Sequence, residues 1–114
     1  MGGWFDVNKS KADDFYFVLK AGNGEVVLTS EMYAARDSAD NGIASVQANS
    51  IEDAQYERGM SKDGKFHFNL KAANHQVIGT SQLYATADSR DAGIASVMTN
   101  GKSTVVKDNT SEKN

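Results

Sequence analysis

Residues 15–49 align on residues 66–100 without a gap, at an offset of 51 and with 20 identities in 35 positions. A chain of 114 residues that repeats itself over most of its length is an internal duplication, so its fold has to build one unit twice. The offset holds outside that window as well: Phe5 falls on Tyr56, Ser10-Lys11 on Ser61-Lys62, and Gln55-Tyr56 on Val106-Lys107.

Inside each copy the hydrophobic period changes from that of a strand to that of a helix. The segment "FYFVLKAGNGEVVLTS" contains Asn23-Gly24, the dipeptide favoured in type I′ hairpins because both turn residues take positive φ. A turn there sets Leu19 against Leu28, Phe17 against Ser30 and Phe15 against Met32. The predicted core face is then Phe15, Phe17, Leu19, Ala21, Val26, Leu28 and Met32, echoed by Phe66, Phe68, Leu70, Ala72, Val77 and Leu83. A strand "WFDVN" precedes the first hairpin, and Asp63-Gly64 supplies the corresponding turn in the second copy. Thr86, with Asp88 close behind, predicts a helix start, and Asn100-Gly101 a stop. Ile43 and Val46, with Ile94 and Val97, give each helix a narrow apolar edge. A short strand in "STVVK" ends the second copy; in the first copy that slot merges with the strand opening the next repeat.

One unit of three strands and a helix is too small to bury its apolar hairpin face alone. Two units about an approximate two-fold axis can join their sheets and share a core. The predicted fold is therefore α+β: two tandem β-β-β-α-β repeats, about 3–53 and 54–107, sharing one mainly antiparallel sheet with two helices packed on it. The expected organisation is a single domain over 1–110, with a flexible polar C-terminal tail over 108–114.

Composition sets the outer bounds. With 39% apolar residues and 9% aromatics the chain is globular rather than disordered. The absence of Cys removes disulfides and thiolate metal sites, and no charged-then-apolar signal opens the sequence, so a reducing cytoplasm is the expected location. No apolar run reaches membrane-span length, so no membrane partner is expected. A net charge of −3, with Lys and Arg scattered singly, disfavours double-stranded nucleic acid.

The words "GWF", "LKAGNGE" with its echo "LKAANHQ", "GIASV" twice, and "VKDNT" resemble the YegP-like family of small bacterial proteins over about Gly3 to Thr110. That resemblance implies β-β-β-α-β units, present as tandem repeats or as two subunits, sharing one sheet by exchange of their last strands. It carries no established biochemical function and no catalytic residues.

No residue set qualifies as catalytic, cofactor-binding or metal-ligating. His67 and His75 stand eight residues apart along one hairpin, roughly 25 Å in extended geometry, too far to share an ion. "DSADNGIASV" opens like a calcium loop at Asp37, Asn41 and Gly42, then presents Ala39 and Ala48 where ligands belong. "GNGEVV" lies in a hairpin and lacks the third glycine of a dinucleotide fingerprint. No Ser sits in a nucleophile elbow.

Two duplicated patterns remain. Ser38, Gly42, Ser45 and Asn49 form a polar stripe along the first helix, and Ser89, Gly93, Ser96 and Asn100 repeat it on the second. A mid-helix Gly costs about 1 kcal/mol relative to Ala, which asks for a compensating close approach or a ligand groove between the helices. Packing is the reading preferred here. Tyr16, Lys20, Thr29, Tyr33, His67, Lys71, Thr80 and Tyr84 form a candidate platform on or near the open sheet face. The function expected is that of a small non-enzymatic binding or interaction module, monomeric, needing no cofactor, with its partner unidentified. The alternatives are an enzyme of unrecognised type with a symmetric site between the repeats, and a binder of single-stranded nucleic acid or small polar ligands on the open face.

Overall fold

The computed structural model describes residues 2–110. Each repeat begins with a three-stranded meander: β1 (Trp4–Lys9), β2 (Phe15–Lys20) and β3 (Val26–Ser30), then β4 (Tyr56–Met60), β5 (Phe66–Lys71) and β6 (Val77–Thr80). A helix follows each meander, α1 (Arg36–Asn49) and α2 (Ala87–Asn100), and β7 (Val106–Asp108) follows α2. All seven strands form one sheet in the order β4-β5-β6-β3-β2-β1-β7.

The repeats meet where β3 pairs antiparallel with β6, Thr29 opposite Thr80 and Ser30 opposite Gly79. Thr29 and Thr80 are the same position of the duplicated unit, so the pseudo-two-fold axis passes between them. The pairs are antiparallel except at one edge, where β7 leaves the second repeat and runs parallel to β1 of the first. On the other edge that exchange cannot recur, because the segment after α1 is itself β4. A single 3₁₀ turn (Asp53–Gln55) leads into β4 there, with Tyr56 N–H on Asp53 O and Arg58 paired to Asp53 at 2.9 Å.

The core lies between the sheet and the two helices. Each repeat contributes an aromatic chain: Phe5 edge-on to Phe17 at 5.8 Å, which stacks on Tyr33, and Tyr56 edge-on to Phe68 at 5.6 Å, which stacks on Tyr84. Leu19, Leu28 and Leu70 complete it, with Ile43, Val46, Ile94 and Val97 from the helices. The predicted apolar helix edge is thus the buried one.

The predicted hairpin register holds at Leu19 opposite Leu28 and at Val18 opposite Thr29; it breaks toward the tip, where Lys20 meets Val26, and again at the far end, where Phe15 meets Tyr33 instead of Met32. A bulge after Leu19, and its twin after Leu70, inserts one residue, so Val27 and Ile78 enter the core while Val26 is exposed. Past the pair, Ser30 Oγ accepts the Phe17 N–H at 2.8 Å in place of a backbone carbonyl, and Ser81 Oγ does the same for Phe68 at 3.0 Å. Phe15 consequently meets Tyr33, and Phe66 meets Tyr84. Met32 and Leu83, predicted inside, are 53% and 54% exposed.

The tip is also built differently from a two-residue turn. Gly24 N–H returns to Ala21 O and Ala21 N–H to Glu25 O, a three-residue loop in which Gly24 alone has positive φ. In the second copy His75 occupies that position at φ 72°. At the other end of the chain, Thr86 caps α2 as predicted, accepting the Ser89 N–H at 3.0 Å. Two residues expected in the polar tail are tied to the fold: Asp108 belongs to β7 and pairs with Arg36 of α1 at 2.8 Å, and Asn109 N–H donates to Val7 O. Residues 111–114 of that tail lie outside the described residues.

A left-handed backbone costs an L-residue about 1 kcal/mol or more, and Gly24 shows that the loop accepts glycine. His75→Gly is predicted to raise unfolding free energy by about 0.5–1 kcal/mol in urea denaturation, with the m-value unchanged.

Candidate functional site

The helices do not face each other across a groove; each packs beside the hairpin of the opposite repeat. Between α1 and the β5–β6 hairpin runs a groove of about 210 Å³ lined by Glu31, Tyr33, Ser38, Asn41, Gly42, Ser45, Ala72, Asn74, Gln76, Val77 and Ile78. Between α2 and the β2–β3 hairpin runs a second of about 210 Å³, lined by Ala21, Asn23, Glu25, Val27, Gln82, Tyr84, Ser89, Ala92, Gly93 and Ser96. Every residue of the second groove is the offset-51 counterpart of a residue in the first. A larger open depression of about 440 Å³ by Gly3, Asn100 and Lys102 has no such twin.

The predicted polar stripe divides. Ser38, Gly42 and Ser45, with Ser89, Gly93 and Ser96, line the grooves. Asn49 and Asn100 do not enter them. Their amides return to Ser45 O and Ser96 O, and Asn100 Oδ1 also accepts the Gly3 N–H at 2.9 Å.

The glycines have a steric cause. A Cβ on Gly42 would stand 2.6 Å from Tyr33 Oη and 2.9 Å from Phe17 Cε2; one on Gly93 would meet Tyr84 and Phe68 in the same way. The Tyr ring lies between helix and sheet, and glycine admits it. This preserves the packing reading for Gly42 and Gly93, and the same close approach brings a phenol hydroxyl to the groove. Burial, and secondarily the Glu31 carboxylate, hold the Tyr33 hydroxyl above the usual phenol range. At neutral pH it remains protonated.

The open-face platform is not assembled as predicted. Tyr33 and Tyr84 belong to the helix-covered side, stacked on core rings. Lys20 pairs with Asp6 at 3.0 Å and Lys71 with Glu57 at 3.2 Å, so both cations are neutralised in place. Hydrogen bonds from Asn69 and Lys71 hold the Glu57 carboxyl below its usual value. Thr80 donates to Asn69 Oδ1, and the His67 ring covers Gly59 across the strand pair. Tyr16 and Thr29 remain on the open face without joining a site. Among the described residues no group of three His, Cys, Asp or Glu converges.

Sequence reasoning missed two things. Trp4 lies under Lys107 at 4.2 Å and donates its indole N–H to the buried Asp6. The signal was the pairing of Trp4 with Lys20 across β1 and β2. The groove walls from the opposite hairpin, Asn23 to Val27 and Ala72 to Ile78, were also missed, because which helix meets which hairpin depends on the direction of crossing.

Fold and grooves together define a class: a two-repeat α+β domain with one shared sheet and a duplicated polar groove. The chain belongs to the family described as a domain of unknown function, DUF1508, which matches residues 10–57 and 61–108. It is 61% identical over 110 residues to the UPF0339 protein YegP of Escherichia coli K12, covering 96% of this chain and all of that one. A UPF0339 protein of Shewanella oneidensis is 58% identical over 108 residues, covering 95% and 98%. The solution NMR structure of E. coli yegP, described as a protein of unknown function, superposes with a TM-score of 0.94 at 59% identity, covering 99% and 97% of the two chains. That of the Shewanella protein gives 0.93 at 57%, covering 99% and 96%. These relatives fix the family and the fold, and no specific biochemical function is established for them.

If the glycines answer to sterics, Gly42→Ala loses more from overpacking against Phe17 than the roughly 1 kcal/mol that Ala gains in helix propensity. A net destabilisation of about 1–2 kcal/mol is predicted for Gly42→Ala and for Gly93→Ala, read by chemical denaturation. An unchanged or raised midpoint contradicts the steric account.

Proposed function

We propose that the protein is a small non-enzymatic binding module whose two cross-repeat grooves each receive a small polar ligand. The observation that carries this reading is the duplication of the groove itself. Ten lining positions recur, drawn in each case from one repeat's helix and the other repeat's hairpin. Packing explains Gly42 and Gly93, but it does not call for Ser38 and Ser45, whose hydroxyls have no hydrogen-bond partner among the described residues; in the second groove Ser89 meets Thr86 and Ser96 accepts from Asn100. Small polar pockets use a few such groups to orient a ligand.

The linings favour binding over catalysis. Neither contains a His, Cys or Lys, and among the described residues no Ser or Tyr hydroxyl of either groove is hydrogen-bonded to its Glu, so no activated nucleophile is assembled there. We further propose that the protein acts as a monomer in the cytoplasm, with double-stranded nucleic acid outside its range. No helix among the described residues is long and apolar enough to cross a membrane.

Amide NMR spectra of the labelled protein, recorded with deproteinised bacterial extract, test the reading. Saturable shifts are expected at Tyr33, Ser38 and Ser45 together with Tyr84, Ser89 and Ser96. Ser45→Phe is expected to silence the first set and spare the second. Shifts confined to the open face around Trp4, Lys20 and His67, or no localised shift, contradict it.

A further inference from the structure

The two grooves exchange their charged positions. The first has Glu31 on its strand side and Gln76 on its hairpin side; the second has Gln82 and Glu25 at those places. Acid and amide have changed walls, yet each groove keeps one carboxylate. Neither Glu31 nor Glu25 takes part in an ion pair among the described residues, a state they share with Asp13, Asp14, Asp37, Glu52, Asp63 and Asp88, so each groove's carboxylate has no internal counter-charge. No Lys, Arg or His lines either groove.

We propose that each groove binds a small organic ammonium, an amine of a few heavy atoms on a short apolar stem. This rests on reading the grooves as sites. The carboxylate supplies the single counter-charge. Serine hydroxyls and the Tyr hydroxyl supply oxygens for the remaining N–H donors. An inorganic divalent cation fits poorly, because calcium takes six to eight oxygen ligands and several of them carboxylates. An anion would meet the carboxylate with no cation to offset it. The stem has apolar surface to meet: Ile78 lines the first groove and Val27 the second, and both are buried. Exposed Met32 and Leu83 stand in sequence beside the groove tyrosines. A volume of about 210 Å³ restricts the ligand to something smaller than the drug-sized occupants of pockets above about 300 Å³.

Because the charge sits on opposite walls, each groove serves as the folding control for the other. Labelled protein is titrated separately with butylammonium, butyrate and 1-butanol at matched ionic strength, and amide shifts at Tyr33 and Ser45 are followed beside those at Tyr84 and Ser96. Butylammonium is expected to shift both sets saturably, with butyrate and butanol leaving them in place. Glu31→Gln is expected to weaken binding at the first groove by about tenfold or more while sparing the second, and Glu25→Gln to do the reverse. Equal response to butyrate or butanol, or a Glu31→Gln variant that binds butylammonium unchanged at the first groove, overturns the ammonium assignment and leaves the grooves as sites. Silence toward all three probes, in a protein that shifts there with bacterial extract, overturns the assignment alone. Silence toward probes and extract together overturns the binding reading as well.

Discussion

Two copies of one unit meet at an axis, and at an axis identical side chains collide. The structure depends on how that collision is avoided. Leu28 and Gly79 are the same position of the repeat. Leu28 is almost fully buried beside the axis, and a Cβ on Gly79 would stand 2.9 Å from its Cγ. One leucine fits; its twin has become glycine. The same solution appears where the helices end: a Cβ on Gly101 would lie 2.6 Å from Cβ of its counterpart Ser50, which is wholly buried. Thr29 and Thr80, facing each other across the join, remain identical.

A tandem chain can make these choices separately in its two halves, which two identical subunits cannot. Once the axis is closed, β3 and β6 fuse the meanders into one sheet and the helices cover both halves of the core. Each helix then extends beyond its own repeat and meets the other repeat's hairpin. The twin grooves follow from that crossing, and their polar lining is the part that packing alone does not require.

The sequence made the architecture legible because the signals were local and duplicated. The offset, the hairpin alternation, the cap at Thr86 and the Ile–Val helix edges each state their structure within a few residues. What escaped was set by irregularity or by distance. The bulge after Leu19 and the hydroxyl of Ser30 in the ladder each shift register by one residue, moving Val27 and Tyr33 inward and Val26 and Met32 outward. Alternation counted at a strict period of two cannot register an inserted residue. The Ser–Gly–Ser part of the stripe was legible on each helix, but its opposite wall comes from the other repeat, about thirty positions away for the first groove and about seventy for the second. Asn49 and Asn100 shared the spacing and are spent on their own helix ends.

The axis constraint is tested most directly by exchanging its two residues. Leu28→Gly alone opens a cavity and Gly79→Leu alone overpacks the join, so each is expected to lose about 2 kcal/mol or more in chemical denaturation. The double variant restores one leucine and one glycine at the axis in the opposite order. It is predicted to be more stable than either single variant, with a favourable coupling of at least about 1 kcal/mol. A double variant that loses the sum of the two single effects would show that the leucine and the glycine act independently, and that the axis does not set the structure.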